Sequence, residues 1–140
     1  MQAAAPGSHA DALRRIRSLL GPAGCIDAPE RTARFLTDFR ELYRGATPFV
    51  ACPATTAEVS QVLALCNAAR IAVVPQGGNT SYCGGATPSA RGDQLVLSLH
   101  RLNRIRAIDA ANFSLVAEAG CVLVDVQAAA QSVERLFPLS

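Results

Sequence analysis

The sequence predicts an α+β fold in which a parallel strand-helix-strand unit is followed by a mostly antiparallel half that carries a helix. Three observations support this prediction. Two unbroken apolar runs flank an amphipathic segment between residues 49 and 74, alternating apolar residues begin at residue 95, and a glycine-rich loop separates the two patterns. Half of the 140 residues are hydrophobic, so the chain can bury the core of one domain of ordinary size.

The N-terminal segment is predicted to be helical. Residues 1–7 are rich in alanine, and we expect them to fray. Ser8 is placed to cap a helix over residues 9–20, because apolar residues recur there at helical spacing and Gly21-Pro22 follows as a stop signal. A shorter helix is expected over residues 30–36.

The parallel unit begins with the apolar run 49–52, which Pro53 ends and which is typical of a strand buried on both faces. Thr55 and Glu58 have the spacing of a capping box, and the apolar residues that follow recur at helical spacing. The run 71–74 then predicts a second strand, parallel to the first, with a right-handed crossover.

The second half is predicted to be mostly antiparallel. Leu95, Leu97 and Leu99 alternate with other residues, and two further short strands are expected around residues 105–108 and 115–119. A helix is predicted over residues 123–133. Residues 136–140 are expected to open another extended segment, so we expect this half to be incomplete at Ser140.

The loop that leaves the second parallel strand contains two glycine pairs, Gly77-Gly78 and Gly84-Gly85. Such pairs indicate positive φ angles or a ligand that approaches too closely for a Cβ atom. Successive backbone amides in a loop of this kind can bind a pyrophosphate, and loops at the carboxyl ends of parallel strands are where ligands bind in α/β sheets. Side-chain donors would be added by Asn79, Thr80 and Ser81. A purely structural role for the glycines remains an open alternative.

Other phosphate-binding and catalytic motifs do not match. No helix follows the glycines at dinucleotide-fold spacing, the chain has no lysine for a Walker-type loop, and no Gly-x-Ser-x-Gly elbow occurs. The net charge of +2 is spread along the chain, so no nucleic-acid partner is indicated. Five widely spaced cysteines and two distant histidines indicate neither a disulfide framework nor a metal site. Without a leader pattern or a long apolar run, we expect a cytoplasmic protein with no membrane span.

The order of segments resembles a known family. The supporting segments are Pro53–Val59, Pro75–Pro88, Leu102–Ile105, Glu118–Gly120 and Phe137–Ser140. Together they resemble the vanillyl-alcohol-oxidase-type (PCMH) FAD-binding domain over about residues 35–140. Within that superfamily they are most similar to the D-2-hydroxy acid dehydrogenases, the group of D-lactate dehydrogenase, D-2-hydroxyglutarate dehydrogenase and the glycolate oxidase flavin subunit.

This resemblance implies a division of the chain and a cofactor site. Residues 1–46 would form an N-terminal helical segment, residues 47–92 a parallel FAD-binding subdomain, and residues 93–140 the start of a second FAD subdomain. The residues that would contact FAD are Pro75, Gly77, Gly78, Asn79, Thr80, Ser81, Gly84, Gly85 and Pro138. Many relatives bond FAD covalently through a histidine at the position of Asn79, so the resemblance implies that FAD is held non-covalently here.

The implied function is that of the FAD-binding portion of an enzyme that oxidises a D-2-hydroxy acid to the 2-oxo acid and passes electrons to an acceptor. No catalytic residue is expected within the chain, and we expect these 140 residues alone to be inactive. Two alternatives remain open: a non-catalytic nucleotide- or phosphate-binding module, and an inactive, truncated fragment whose glycine loop is empty and which we expect to bind FAD weakly.

Four further features favour structural roles. His100 follows a predicted strand and is expected to be a surface residue rather than a general base. Cys83 has no partner cysteine nearby in sequence, and the arginines between residues 101 and 106 are expected to form a solvated face. Glu118 is expected to close a strand near the cofactor rather than to act as an acid.

Overall fold

The computed structural model describes residues 8–139 and shows a four-stranded sheet with helices on both faces, followed by a two-stranded hairpin and a helix. The helices are α1 (His9–Leu20), α2 (Pro29–Leu36), α3 (Thr56–Ala68) and α4 (Leu123–Gln131). The strands are β1 (Cys25–Ile26), β2 (Val50–Ala51), β3 (Val73–Gln76), β4 (Leu95–Ser98), β5 (Ile105–Asp109) and β6 (Ser114–Ala117). The predicted α+β class is therefore confirmed, and the predicted fraying of residues 1–7 lies outside the described residues.

The sheet has the strand order β1-β2-β4-β3. Strands β2 and β3 both pair with β4 in parallel, and β1 pairs with β2 in antiparallel orientation. All four residues of β4 are buried. The expectation that residues 95–99 open the antiparallel half is therefore wrong, because β4 is the central strand of the parallel sheet. The division of the chain into three parts stays a prediction, but β4 has to be counted with residues 47–92.

The helix ends form as the capping signals predict. The Ser8 hydroxyl accepts a hydrogen bond from the Asp11 amide at 3.2 Å, and α1 ends at Gly21. The Thr55 hydroxyl accepts from the Glu58 amide at 3.1 Å, while a Glu58 carboxylate oxygen accepts from the Ala54 amide at 2.6 Å. The two hydroxyl groups satisfy amides that the first turn of each helix leaves without a backbone acceptor, and the Glu58 carboxylate binds the amide of the residue before the cap.

Two apolar clusters hold the sheet between its helices. On one face, residues of α1 and α3, such as Ile16 and Val62, pack with Ala51, Leu95 and Leu97. On the other face, Phe35 of α2 packs with residues of β1, β2 and β4, including Val96. Because successive strand residues point to opposite faces, β2 and β4 each contribute to both clusters. This arrangement places α2 over the face that carries Val74, Val96 and the polar pair Gln76 and Ser98.

Several predicted boundaries differ from the structure. Strand β3 starts at Val73 rather than at residue 71 and extends through Pro75 and Gln76, because all four of its residues pair with β4. The hairpin of β5 and β6 and the helix α4 lie in the predicted regions, but β6 ends at Ala117 rather than at residue 119 and α4 ends at Gln131 rather than at residue 133. Residues 136–139 form no strand, and Ser140 lies outside the described residues. Among residues 8–139, no helix combines the length and the apolar character that crossing a membrane requires.

Candidate functional site

The candidate site lies where the loop of residues 77–94 leaves β3. A cavity of about 330 Å³ opens there between the end of α2 and the ends of β3 and β4. It is lined by Arg34, Phe35, Gln76, Gly77, Gly78, Asn79, Ser98 and His100. The first glycine pair thus lines a cavity at the carboxyl edge of the parallel sheet, as the position of the loop predicts.

The backbone amides of residues 77–82 have no hydrogen-bond acceptor among residues 8–139. The next amide, that of Cys83, lies 3.4 Å from the Ser81 hydroxyl, which accepts its hydrogen bond. Gly77 and Gly78 are exposed, so their amides are open to solvent or to a ligand. A run of free N–H groups in a loop forms a local positive potential that suits an anion.

The two glycine pairs differ in what surrounds them. A Cβ atom on Gly77 or Gly78 would meet no atom of the chain closer than 3.7 Å, and neither residue has a positive φ angle. By contrast, Gly84 has a φ of 68°, and a Cβ atom there would lie 2.8 Å from the Tyr43 ring. A Cβ atom on Gly85 would meet nothing within 4 Å. The chain itself therefore explains glycine at position 84, whereas its own atoms leave the Cβ space open at positions 77, 78 and 85.

Two side-chain amides connect this loop to α2. Gln76 is 1% exposed, and its Nε2 donates to the carbonyl oxygens of Phe35 at 3.0 Å and Ala86 at 2.8 Å. Asn79, with a φ of 56°, donates from Nδ2 to the carbonyl oxygens of Arg34 at 3.0 Å and Thr37 at 2.8 Å. The buried Gln76 Oε1 has no hydrogen-bond partner among the described residues.

Positive charge and an imidazole lie at the rim of the cavity. The Arg34 guanidinium lies 4.6 Å from the centre of the Phe35 ring and forms no ion pair within residues 8–139. His100 Nδ1 lies 2.9 Å from the Ser98 hydroxyl. Partial burial lowers the pKa of His100, and the guanidinium groups of Arg34 and Arg101 lower it further. The site is therefore electropositive without depending on a protonated histidine.

A turn at residues 38–43 packs beside the loop. The carboxylate of Asp38 accepts hydrogen bonds from the amides of Tyr43 at 2.6 Å and Arg40 at 3.1 Å. Phe39 packs edge-on against Tyr82 with ring centres 5.8 Å apart, and the Arg40 guanidinium lies 4.9 Å from the centre of the Tyr82 ring. These contacts brace the loop between its two glycine pairs.

The other predicted site residues are distributed less closely. Pro75 is an exposed residue of β3, and Thr80 and Ser81 continue the loop after Asn79. Pro138 belongs to the segment that follows α4, where Gln127 donates to the carbonyl oxygen of Leu139 at 2.7 Å. No contact of the structure tests the roles predicted for these residues, which stay predictions.

The residues for which structural roles are expected have these surroundings. Cys83 is an exposed free thiol. Glu118 receives hydrogen bonds from Arg104 and lies 3.8 Å from Arg106, and the hydrogen bonds from Arg104 are the main reason why its pKa is lowered. Glu118 follows β6 directly, as predicted, and its carboxylate forms ion pairs with Arg104 and Arg106.

Sequence reasoning missed two groups of the cavity and undervalued a third. Arg34 and Phe35 come from a helix more than forty positions before the loop, and only the packing of α2 on the sheet brings them to Asn79. His100 is exposed, as expected, but it lines the cavity because β4 is central in the sheet. Only a correct prediction of the strand order could have placed His100 at this cavity.

The sequence of this chain is similar to a known domain family and to known dehydrogenases. The sequence pattern of the family described as "FAD binding domain" matches residues 47–140. A probable mitochondrial D-2-hydroxyglutarate dehydrogenase of Oryza sativa subsp. indica is 35% identical over 131 residues, which are 94% of this chain and 23% of that protein. A putative mitochondrial D-lactate dehydrogenase of Schizosaccharomyces pombe is 36% identical over 130 residues, which are 88% of this chain and 24% of that protein.

The fold is also found in solved structures. The structure of an alkyldihydroxyacetonephosphate synthase superposes with a TM-score of 0.76 at 16% identity, covering 94% of this chain and 26% of that one. The chain therefore spans about a quarter of the length of the proteins that it matches.

One expectation is overturned by these comparisons. The chain is predicted to be cytoplasmic because no leader pattern is visible, but the relatives from Oryza sativa and Schizosaccharomyces pombe are both named as mitochondrial. The prediction of a cytoplasmic location is therefore wrong. Targeting depends on a short segment that is recognised by its own sequence. The composition of a folded domain therefore does not indicate its compartment.

Proposed function

The chain belongs to the family of FAD-binding domains, and on that premise we propose that it is the FAD-binding portion of a flavin-dependent oxidoreductase that converts a D-2-hydroxy acid into a 2-oxo acid. The proposal for the substrate draws on the relatives, which are named as D-2-hydroxyglutarate and D-lactate dehydrogenases. Because the chain spans about a quarter of their length, the activity of the whole protein is proposed from them and not from a catalytic group of this chain.

The observation that carries the proposal is the run of six backbone amides, residues 77–82, that have no acceptor in the described part of the chain and lie beside an electropositive cavity. Their chemistry fits the diphosphate of FAD, which offers several anionic oxygens to N–H donors. Gly77 and Gly78 fit a ligand at close range, because the chain leaves the space of their missing Cβ atoms open. The Arg34 guanidinium, which forms no ion pair with the residues that the structure describes, adds a positive charge near the same position.

We assign the predicted residues as follows. Gly77, Gly78, Thr80 and Ser81 bind the diphosphate through their backbone amides. Asn79 occupies the position that the resemblance to the wider superfamily gives to a flavin-bonded histidine, and its amide side chain forms no such bond, so FAD is held non-covalently. The remaining predicted residues border the cofactor and are Pro75, Gly85 and Pro138. Gly84 is needed for the packing of Tyr43.

Bound FAD supplies the hydride acceptor, at flavin N5, for the hydrogen on the α-carbon of the substrate. The part of this chain is to bind the dinucleotide and to fix its orientation against the carboxyl edge of the sheet. We assign to its residues no role in removing the hydroxyl proton or in receiving electrons from the reduced flavin.

Equilibrium titration of the 140-residue chain with FAD, ADP and riboflavin tests this function. FAD and ADP should both bind, because both contain a diphosphate, and FAD should bind more tightly because it adds the isoalloxazine ring. Flavin fluorescence reports FAD and riboflavin directly, and calorimetry reports ADP. Equal affinity for ADP and FAD would favour a nucleotide-binding module instead, and a folded chain that binds neither ligand would refute the proposal.

A further inference from the structure

We infer that Asn79 is a positioning residue of the proposed FAD site, whose side-chain amide ties the glycine loop to the last turn of α2 and so holds the loop amides toward the diphosphate. This inference rests on the proposed function and deepens it. In this role the side chain of Asn79 binds α2 and does not contact the phosphate groups directly.

The hydrogen bonds of Asn79 identify its donor group without ambiguity. Both partners, the backbone oxygens of Arg34 and Thr37, are carbonyl acceptors at 3.0 and 2.8 Å, so the amide nitrogen and not the oxygen must face them. Both N–H groups of the side chain are thereby used. The side chain has no N–H left for a ligand, and only its oxygen remains.

The acceptors are groups that a helix end leaves without donors. Helix α2 ends at Leu36, and the carbonyl groups of a last helical turn lack intrahelical partners. Asn79 takes the carbonyl oxygens of residues 34 and 37, and Gln76 takes that of Phe35 between them. Two side-chain amides three positions apart therefore fasten the start of the loop to one helical turn.

The backbone of the loop depends on this attachment. Asn79 has a φ of 56°, a left-handed conformation that asparagine tolerates better than most residues. The turn at Asn79 separates the amides of Gly77 and Gly78 from those of Thr80 and Ser81, none of which has an acceptor among residues 8–139. Because these amides have no hydrogen-bond partner within the described residues that fixes their orientation, the backbone of the loop is held in place by the hydrogen bonds of Gln76 and Asn79 to the end of α2.

Three variants separate the donors of Asn79 from its backbone conformation. Asn79→Gly keeps the left-handed conformation accessible and removes both donors. Asn79→Asp keeps the size of the side chain, but its carboxylate would face two carbonyl oxygens without a proton to donate. Asn112→Gly is the matched control, because Asn112 donates to Asp109 in the hairpin turn and not to α2.

The measurements are the dissociation constants for FAD, ADP and riboflavin, with the thermal unfolding midpoint of each ligand-free variant. We expect Asn79→Gly to weaken the binding of FAD and of ADP about tenfold, since two hydrogen bonds to the end of α2 are lost, and Asn79→Asp to weaken both further. Riboflavin has no diphosphate, so its affinity should stay at the wild-type value. Amide NMR signals of Gly77 and Gly78 should shift on ADP addition in the wild type and much less in Asn79→Gly.

Each outcome decides between defined alternatives. Wild-type affinity of Asn79→Gly for FAD and ADP would overturn the inference and leave the proposed function standing, because it would show that only the left-handed conformation matters. An equal loss for ADP and riboflavin would indicate general damage to the fold and would also overturn the inference. A wild-type chain that binds neither FAD nor ADP would refute the proposed function itself, and the inference with it.

Discussion

At the scale of single residues, Gly77 and Gly84 offer the sharpest contrast in the loop. Position 84 requires glycine because of its φ of 68° and the Tyr43 ring above it, while position 77 has room for a methyl group and an ordinary backbone conformation. If the ligand approaches Gly77 closely, a side chain at position 77 should lower the affinity for the ligand. A side chain at position 84 should instead lower the free energy of unfolding.

We therefore expect Gly77→Ala to leave the free energy of unfolding unchanged or raised by a few tenths of a kcal/mol, because alanine loses less backbone entropy on folding. The same substitution should weaken FAD binding at least tenfold, which corresponds to about 1.4 kcal/mol. Gly84→Ala should instead lower the free energy of unfolding by about 1 to 3 kcal/mol. Chemical denaturation and FAD titration of both variants provide the check, and unchanged FAD affinity in Gly77→Ala would contradict the predicted contact.

Asp38 gives a prediction for the dependence of stability on pH. Hydrogen bonds from the Tyr43 and Arg40 amides lower its pKa below the ordinary value of 3.8, the one from Tyr43 most strongly. The unfolded state therefore binds more protons than the folded state between the lowered pKa and about 3.8, and stability falls as the pH falls through this range. Above it, the contribution of Asp38 is fully present.

Asp38→Asn should consequently destabilise the protein most at neutral pH, since one of the two amides loses its acceptor. Its free energy of unfolding should approach that of the wild type as the pH falls below the lowered pKa of Asp38. Urea denaturation across an acidic pH series measures the difference. A difference between the two proteins that stays constant over the whole series would show that the charge of Asp38 is not involved.

The site could be predicted from the sequence only where its residues are contiguous. The glycine loop shows itself because four glycines and three short polar residues follow an apolar run, and this pattern has a direct backbone meaning. Arg34 and His100 could not be found in this way, because one is an ordinary helix residue and the other an ordinary strand end. They meet the loop only through the tertiary packing of α2 and β4 on the sheet.

At the scale of elements, α1 is part of the main core rather than an appendage. Ile16 is fully buried in the cluster that also contains Val62 of α3 and Leu95 of β4. Ile16→Ala should therefore cost about 2 to 5 kcal/mol of unfolding free energy, as large-to-small core substitutions do. Arg14→Ala on the same helix removes an exposed ion pair with Asp11 and should cost less than about 1 kcal/mol. Comparable losses from both variants in urea denaturation would refute the assigned packing.

Helices were more predictable than strand order, and the reason is local chemistry. Ser8, Gly21 and Thr55 mark helix ends through hydrogen bonds or backbone angles within a few residues, so the sequence carries the whole signal. Strand β4 was assigned to the antiparallel half because its leucines alternate with other residues. In the structure Ser98 is buried with them, since its hydroxyl has His100 Nδ1 as a partner, and nothing within a four-residue run specifies which strands will flank it.

At the scale of the whole molecule, the order β1-β2-β4-β3 links the three predicted parts into one sheet. The segment 1–46 contributes β1 and α1, the segment 47–92 contributes β2, α3 and β3, and β4 follows residue 92. Every buried member of the two apolar clusters lies between residues 12 and 97. The two clusters on the sheet thus cross the predicted boundary at residue 92, and they end before the hairpin of β5 and β6.

This arrangement predicts different behaviour for two truncated chains. A chain of residues 1–92 lacks β4, so β2 and β3 lose the only strand that joins them within the described sheet, and their backbone groups and apolar residues are left exposed. We expect it not to fold. A chain of residues 1–103 keeps α1, α2, α3 and the four-stranded sheet, and it should show a cooperative unfolding transition. Circular dichroism with thermal and urea denaturation distinguishes the two chains. A cooperative transition in the shorter chain would show that residues 47–92 need no central β4, and failure of the longer chain to fold would place an essential part of the core in the hairpin and α4.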